Sequence, residues 1–129
     1  MLHDILIQYL ADVESAVQGL DNVYIERYEE EILASDRVNL RIRIRFAEGY
    51  LLELNEAVKI EAQRVRHLGY RYHLQNRENN LVFRYDNTPH YPNLDSSPHH
   101  KHLSVRVIPS DKPSIPSVIL EAVQNIVVD

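Results

Sequence analysis

The sequence predicts an α+β fold, with an antiparallel β-sheet of four to six strands and an N-terminal and a C-terminal helix packed on one face. Apolar residues recur every three or four positions near both ends of the chain, which is typical of helices with one buried side. Between these segments, apolar and polar residues alternate in several runs, which is typical of strands that bury one face. Short polar turns between the runs favour antiparallel neighbours.

Length and composition predict a single domain over residues 1–129. A chain of this length supports one substantial core but not two. The absence of cysteine excludes disulfides and thiolate metal sites. No apolar run approaches the roughly 20 residues of a membrane helix, and the first residues lack the basic start of a secretion signal. We therefore expect a cytoplasmic protein that does not bind membranes.

The net charge of −5 is distributed unevenly along the chain. Residues 1–36 are strongly acidic, with Arg27 as their only arginine or lysine, whereas residues 37–106 are basic. A basic region attracts phosphates even on an acidic protein, because salt screens charges beyond about 8 Å. The acidic segment is either a solvated face or a surface for a basic partner.

The two predicted helices lie at residues 2–17 and after Ser114. Gly19 is expected to end the first helix in the left-handed conformation that glycine adopts easily. Ser114 is a suitable N-cap for the second helix, and Pro116 is tolerated in its first turn. The apolar residues of the second helix are largely β-branched, so we expect packing rather than intrinsic propensity to stabilise it.

The first strands are predicted at residues 24–28 and 38–46, with residues 29–31 in an acidic connection between them. In the second strand, apolar residues alternate with arginines, so one face is core and the other is polar. A three-residue loop over residues 48–50 then pairs Ile44 with Leu54 and Arg45 with Glu53, which keeps apolar side chains together.

A second hairpin is predicted from residues 64–75 and the strand after the polar turn at residues 76–79. Leu68 is expected on its apolar face, and His67 on the opposite face. A four-residue loop pairs Tyr72 with Phe83, which places Arg71 against Arg84. Residues 103–108 are expected to form a short strand at the edge of the sheet.

Residues 83–102 contain four of the seven histidines, together with cations and a carboxylate. Histidine titrates near neutral pH, and few structural roles need this mixture. Residues 70–75 (YRYHLQ), 83–87 (FRYDN), the dipeptide Pro89-His90 and residues 98–102 (PHHKH) resemble the signature of the TumE family. These proteins are toxins of TumE–TumA toxin–antitoxin systems in bacteria and archaea. The resemblance implies a small intracellular toxin, a cognate antitoxin protein as partner, and RNA cleavage as the suspected activity.

Phosphodiester cleavage in RNA needs a base for the 2′-hydroxyl, an acid for the leaving oxygen, and cations for the charge that develops. Metal ions are not required. The candidate residues are His73 and one of His90, His100 or His102 as base and acid, Asp86 as the residue that orients them, and Arg71, Arg84 and Lys101 for the phosphate.

Other interpretations remain open from the sequence. Arg41, Arg43 and Arg45 repeat at about 6.6 Å along one strand face, which suits an RNA track, although a solvated face paired with the next strand has the same pattern. A divalent metal site is possible from Asp86, His90, His100 and His102. A non-catalytic module that binds RNA or protein, or a homo-oligomer, is also compatible with this sequence. A nucleotide-transferring toxin would need more clustered acids.

Overall fold

The computed structural model describes residues 1–88 and 98–126. Its helices and strands are, in order, α1 (Asp4–Gln18), β1 (Val23–Ala34), β2 (Arg37–Phe46), β3 (Leu51–Glu61), β4 (Arg64–Gln75), β5 (Leu81–Asp86), β6 (His100–His102), β7 (Val107–Pro109) and α2 (Ile115–Asn125). The described strands form one antiparallel sheet in chain order. The predicted α+β fold is therefore confirmed, with seven strands rather than four to six.

The extra strand arises where one short edge strand was expected over residues 103–108. The chain instead forms the two three-residue strands β6 and β7. A turn joins them, in which the Leu103 N–H donates to the Arg106 carbonyl at 2.8 Å. The prediction was wrong because such short strands show almost no alternation in sequence.

Both helices cover the same face of the sheet and contact each other. They bury Leu6, Leu10, Val13 and Val17 from α1, and Ile115, Val118, Ile119 and Ala122 from α2. Burying a side chain of this size contributes about 1.5–3 kcal/mol, so this core is the main stabilising term. No helix among the described residues is long and apolar enough to cross a membrane.

The helix boundaries lie close to the predicted ones. Ser114 caps α2 by accepting from the Ser117 N–H at 3.2 Å, and Pro116 lies in the first turn, as predicted. The first helix ends at Gly19, but with a φ of −73°, so the expected left-handed conformation is wrong. The left-handed residue follows later, at Asn22, where φ is 56°.

The prediction of an acidic connection at residues 29–31 was wrong. These glutamates belong to β1, which extends to Ala34 and pairs with β2 along its length. Glu29 lies opposite Arg41. Opposite charges across a strand pair attract each other, which stabilises Glu29 within the strand. Most of β1 is exposed on both faces because it lies at the end of the sheet. An edge strand does not need the alternation from which the other strands were predicted.

Both predicted hairpin registers were wrong by two residues. Ile44 pairs with Leu52 rather than Leu54, and Tyr72 pairs with Tyr85 rather than Phe83. Side chains alternate with a period of two, so a shift of two residues leaves every apolar side chain on the correct face. Hydrophobic patterning therefore cannot distinguish these registers, and the turns decide between them.

In the first hairpin, the loop consists of residues 47–49, and the Phe46 N–H donates to the Tyr50 carbonyl at 2.9 Å. Gly49 has a φ of 93°, a conformation that glycine adopts without strain. Glu53 consequently lies opposite Arg43 rather than Arg45. The one-residue slip that would have moved apolar side chains into water does not occur.

Because of a β-bulge in β4, two side chains lie on the faces opposite to those predicted. Ala57 pairs with Gly69 and Val58 with His67, which leaves Leu68 as the extra residue. Leu68 is 39% exposed, whereas His67 lies on the face covered by the helices. A bulge reverses the alternation of side chains, so residues before Gly69 follow a different phase from those after it.

Candidate functional site

Six polar side chains of β4, β5 and β6 lie together on the open face, which is the face of the sheet that neither described helix covers. They form two rows across three neighbouring strands: Arg71, Asp86 and His100 in one row, and His73, Arg84 and His102 in the next. Arg71 therefore lies opposite Asp86, and not opposite Arg84 as predicted. We call these six residues the polar cluster.

Asp86 is the central residue of the polar cluster. Its Oδ1 lies 2.7 Å from His100 Nε2, and its Oδ2 lies 3.5 Å from both His102 Nε2 and Arg84 Nε. The Thr88 N–H also donates to Oδ1 at 3.1 Å. A buried carboxylate is costly unless it is paired and hydrogen-bonded. Asp86 therefore fixes the positions of three neighbouring side chains from the floor of the site.

His100 is the most deeply buried member, with a side chain only 2% exposed. Its Nδ1 lies 2.9 Å from the Pro98 carbonyl oxygen, which can only accept, so Nδ1 carries a hydrogen. Its Nε2 faces the Asp86 carboxylate, and a proton must lie between those two atoms as well. Both ring nitrogens of His100 therefore face an acceptor within the protein.

His73 has the opposite character. Burial, followed by the Arg71 guanidinium and then that of Arg84, lowers its pKa from the ordinary value of 6.5. Its Nε2 lies 3.3 Å from Gln75 Oε1 and therefore donates to it. Its buried Nδ1 has no hydrogen-bond partner among the described residues. At neutral pH the ring is therefore mostly unprotonated, and no described residue uses its Nδ1 lone pair.

Arg84 lies between His73 and His102 in the same cross-strand row. Its Nε is buried and forms no hydrogen bond within the described chain, the Asp86 oxygen being 3.5 Å away. Arg71 is exposed beside it and has no ion-pair partner among the described residues. Two guanidinium groups are therefore available to an anion at the polar cluster.

A cleft of about 390 Å³ adjoins the polar cluster on the open face. Its polar lining consists of Arg41, Arg71, Asn39, Asn55, Asn87, Thr88, Glu56 and Tyr70. The side chains of Glu56 and Tyr70 form their hydrogen bonds on the helix-covered face. Within the described chain, no carboxylate pairs with either arginine. The Asn87 Oδ1 accepts from the Tyr70 N–H at 3.1 Å, which leaves its amide hydrogens for another partner. The cleft thus combines two cations with amide groups that suit a polar anionic chain.

The family model described as Toxin TumE matches residues 11–129. The chain belongs to the TumE family. It is therefore the toxin component of a toxin–antitoxin system and has an antitoxin as its partner. No curated protein and no solved structure matches the chain significantly.

Three predicted site residues of this TumE protein lie away from the polar cluster. Alternation in β6 turns Lys101 to the helix-covered face, where it forms an ion pair with Glu121 at 2.6 Å. Arg43 and Arg45 both bind Glu26, at 2.8 and 3.1 Å. The arginine row is therefore largely neutralised, and only Arg41 adjoins the cleft. His90 lies outside the described residues.

Three members of the predicted metal set come together in the TumE structure. The possible ligand atoms of Asp86, His100 and His102 all lie within 4.8 Å of one another. Metal-bound histidines usually donate their other ring N–H to a carbonyl or carboxylate, as His100 does to Pro98. These nitrogen and oxygen donors suit a divalent ion such as zinc or manganese.

The sequence interpretation missed a second polar cluster, on the helix-covered face. Glu56 accepts from the hydroxyls of Tyr9 and Tyr72, the latter at 2.6 Å, and from His67 Nε2 at 3.1 Å. Burial alone would raise the pKa of Glu56, but these contacts outweigh it and hold the pKa below its usual range. A signal was present, because Glu56 occupies an apolar position in the alternation of β3. We interpret this Glu56 cluster as the polar anchor of α1 on the sheet.

Proposed function

We propose that this TumE toxin cleaves RNA, with the polar cluster as its active site. The cross-strand row of His73, Arg84 and His102 is the observation that carries the proposal. It offers a base, a cation and an acid on three adjacent strands, each about 4.8 Å from the next. Phosphoryl transfer requires the attacking and leaving oxygens on opposite sides of phosphorus, which suits a phosphate bound at the central arginine.

In the proposed reaction, His73 Nδ1 accepts the proton of the 2′-hydroxyl as that oxygen attacks the adjacent phosphorus. The bond from phosphorus to the 5′-oxygen breaks, and His102 donates a proton to that oxygen. The products are a 2′,3′-cyclic phosphate and a 5′-hydroxyl. The Asp86 carboxylate supports this role because it stabilises positive charge on the neighbouring His102 ring.

The two arginines of the polar cluster provide electrostatic stabilisation. Arg84 is oriented by Asp86 and lies where charge on the phosphate oxygens would increase. Removing one such donor typically lowers kcat by 10²- to 10³-fold. Arg71 and Arg41 line the adjoining cleft and suit the next phosphate along the chain. Together they extend the site from one phosphodiester to a short single strand.

The test uses the purified toxin and a labelled RNA oligonucleotide, with a second RNA that carries a single 2′-deoxy substitution at the cleaved position. We expect a cyclic phosphate from the first RNA and no cleavage of the second. His73→Gln and His102→Gln should each lose at least 10²-fold in rate. His99→Gln is the matched control, because His99 contacts Tyr70 on the helix-covered side. Binding of RNA without cleavage would instead indicate a non-catalytic binding module.

The clustering of Asp86, His100 and His102 favours a metal-dependent nuclease as a second candidate. In that reaction the metal would activate water, so cleavage would not require the 2′-hydroxyl. A chelator should then abolish the activity, and zinc or manganese should restore it. Activity that survives the chelator, but not the 2′-deoxy substitution, would exclude a catalytic metal.

A further inference from the structure

The two ends of the sheet differ in how they are protected. At one end, β7 has three residues and finishes at Pro109. At the other end, β1 has twelve residues and no proline. Exposed edge strands present unpaired backbone groups to other chains, and natural proteins usually protect them by short length, proline, charge or bulges. The long β1 lacks the first two of these protections and has charge and two bulges instead, so it is the edge that suits a partner of opposite charge.

Two backbone hydrogen bonds at the end of β2 show which β1 residues point their N–H and C=O groups out of the sheet. The Phe46 N–H donates to Tyr50 on the β3 side at 2.9 Å. The next N–H, of Ala47, donates to Asn22 on the β1 side at 2.9 Å. Backbone groups alternate in direction along an antiparallel strand, so odd-numbered residues of β2 bond to β1.

The β1 partners of those odd residues are Arg27, Glu29 and Glu31, opposite Arg43, Arg41 and Asn39. Their N–H and C=O groups point into the sheet. The intervening Tyr28, Glu30 and Ile32 point theirs to the outer edge. Bulges interrupt β1 before Arg27 and after Ile32, so residues 27–32 form the regular stretch of this edge.

The side chains of this stretch indicate the chemistry of a partner. Glu29, Glu30 and Glu31 give it a negative charge, which the exposed contact of Arg27 with Glu29 at 3.3 Å offsets only in part. Ile32 is 51% exposed at its end. An extended segment with lysine or arginine opposite the glutamates, and an apolar residue near Ile32, would complement this edge.

We propose that the antitoxin docks here, by adding a basic extended segment as an eighth strand along residues 27–32. Main-chain hydrogen bonds give such strand addition its affinity, and alternate side chains give it specificity. A second copy of the toxin fits less well. Antiparallel pairing of two copies through the outward groups of Tyr28, Glu30 and Ile32 places Glu30 opposite Glu30 and Glu29 opposite Glu31. Directly opposed like charges are destabilising. This proposal does not depend on RNA cleavage.

The decisive pair of variants is Glu30→Pro and Glu30→Ala in the full-length toxin. Proline removes an outward N–H that bonds to nothing within the sheet, whereas alanine retains it. Calorimetric titration with the cognate antitoxin should show binding at least tenfold weaker for Glu30→Pro than for Glu30→Ala, because both variants lose the glutamate charge and only proline loses the outward N–H. Equal binding by Glu30→Pro and Glu30→Ala would overturn the proposal. Circular dichroism and urea unfolding verify that both variants fold.

Hydrogen exchange of the wild-type toxin provides a test that needs no substitution. The amides of Tyr28, Glu30 and Ile32 should exchange rapidly in the free toxin and at least tenfold more slowly in the antitoxin complex. Unchanged exchange at these amides would refute docking at β1. Protection of the same amides in the toxin alone, with a dimer in sedimentation analysis, would assign the edge to a second copy and reject the antitoxin.

Discussion

His100 Nε2 lies 2.7 Å from Asp86 Oδ1 in a pair that is almost completely buried on the open face. The second His100 nitrogen donates to the Pro98 carbonyl, so the ring and the carboxylate share a proton between them. The pair therefore holds opposite charges, or a strongly shared proton, next to the row of His73, Arg84 and His102. The polar cluster depends on it for its geometry, because Asp86 also contacts Arg84 and His102.

Asp86→Asn should reduce the free energy of unfolding by about 3 kcal/mol, because it leaves a buried histidine without its charged partner. Urea unfolding at pH 7 measures this change. Glu61→Gln is the control, since Glu61 forms an exposed pair with Arg66 and should contribute less than about 1 kcal/mol. A loss below about 1 kcal/mol for Asp86→Asn would show that the pair is not a structural element.

The pH dependence of cleavage should report the lowered pKa of His73. The base must be neutral, so kcat/KM should fall on acidification only below the ordinary histidine value of 6.5. Burial is the larger cause of the shift, and the Arg71 cation is the next. Arg71→Ala should therefore move the acid limb to higher pH, part of the way toward the ordinary value.

Arg66→Ala provides the comparison for that profile, because Arg66 lies on the same strand but pairs with Glu61. Its acid limb should coincide with that of the wild type. If Arg71→Ala left the limb in place or moved it to lower pH, His73 would not be the group that titrates.

Glu56→Gln should destabilise the protein by about 3 kcal/mol, because three donors lose a buried charged acceptor. The folded pKa of Glu56 is lowered, so its contribution is complete above the unfolded value and is lost as the pH falls through the folded value. Urea unfolding between pH 7 and pH 3 should show a smaller acid-induced loss in the variant than in the wild type.

Glu53→Gln is the control for Glu56→Gln, and it tests whether the loss of stability depends on the face of the sheet that the glutamate occupies. Glu53 belongs to the same strand but faces the open side, 3.8 Å from Arg43. Its substitution should change the free energy of unfolding by less than about 1 kcal/mol. Similar losses for both variants would contradict an anchoring role for the Glu56 cluster.

Arg41 and Arg43 are two residues apart on β2, yet their substitution should affect RNA binding differently. Arg41 adjoins the cleft without an ion-pair partner in the described chain, whereas Arg43 binds Glu26 at 2.8 Å. Arg41→Ala should weaken RNA binding several-fold and reduce the slope of log affinity against log salt by about 1. Arg43→Ala should have a much smaller effect. RNA binding is measured by fluorescence titration at several salt concentrations. Equal losses of affinity in the two variants would instead support an RNA track along the whole arginine row.

The alternation of residues determined which side chains share a face, and the structure retains that assignment on both sides of most strands. His73 and Arg84 were expected on the polar face and lie there. The β4 bulge is the exception, because one inserted residue reverses the phase and brings His67 to Glu56. The local signal for it is Gly69, because an isolated glycine inside a strand often marks a bulge.

The sequence by itself determined the fold class, the terminal helices and the polar face on which the candidate site lies, because these depend on short periodic patterns of burial. The tertiary structure decided which residues meet across strands: Arg71 with Asp86, and Arg84 with His73 and His102. A shift of two residues costs no apolar burial, so the turns and backbone hydrogen bonds select the register. The open edge at β1 can likewise be recognised only when the order of all the strands is known. A strand lies at an edge because it has a neighbour on one side only, which its own residues do not reveal.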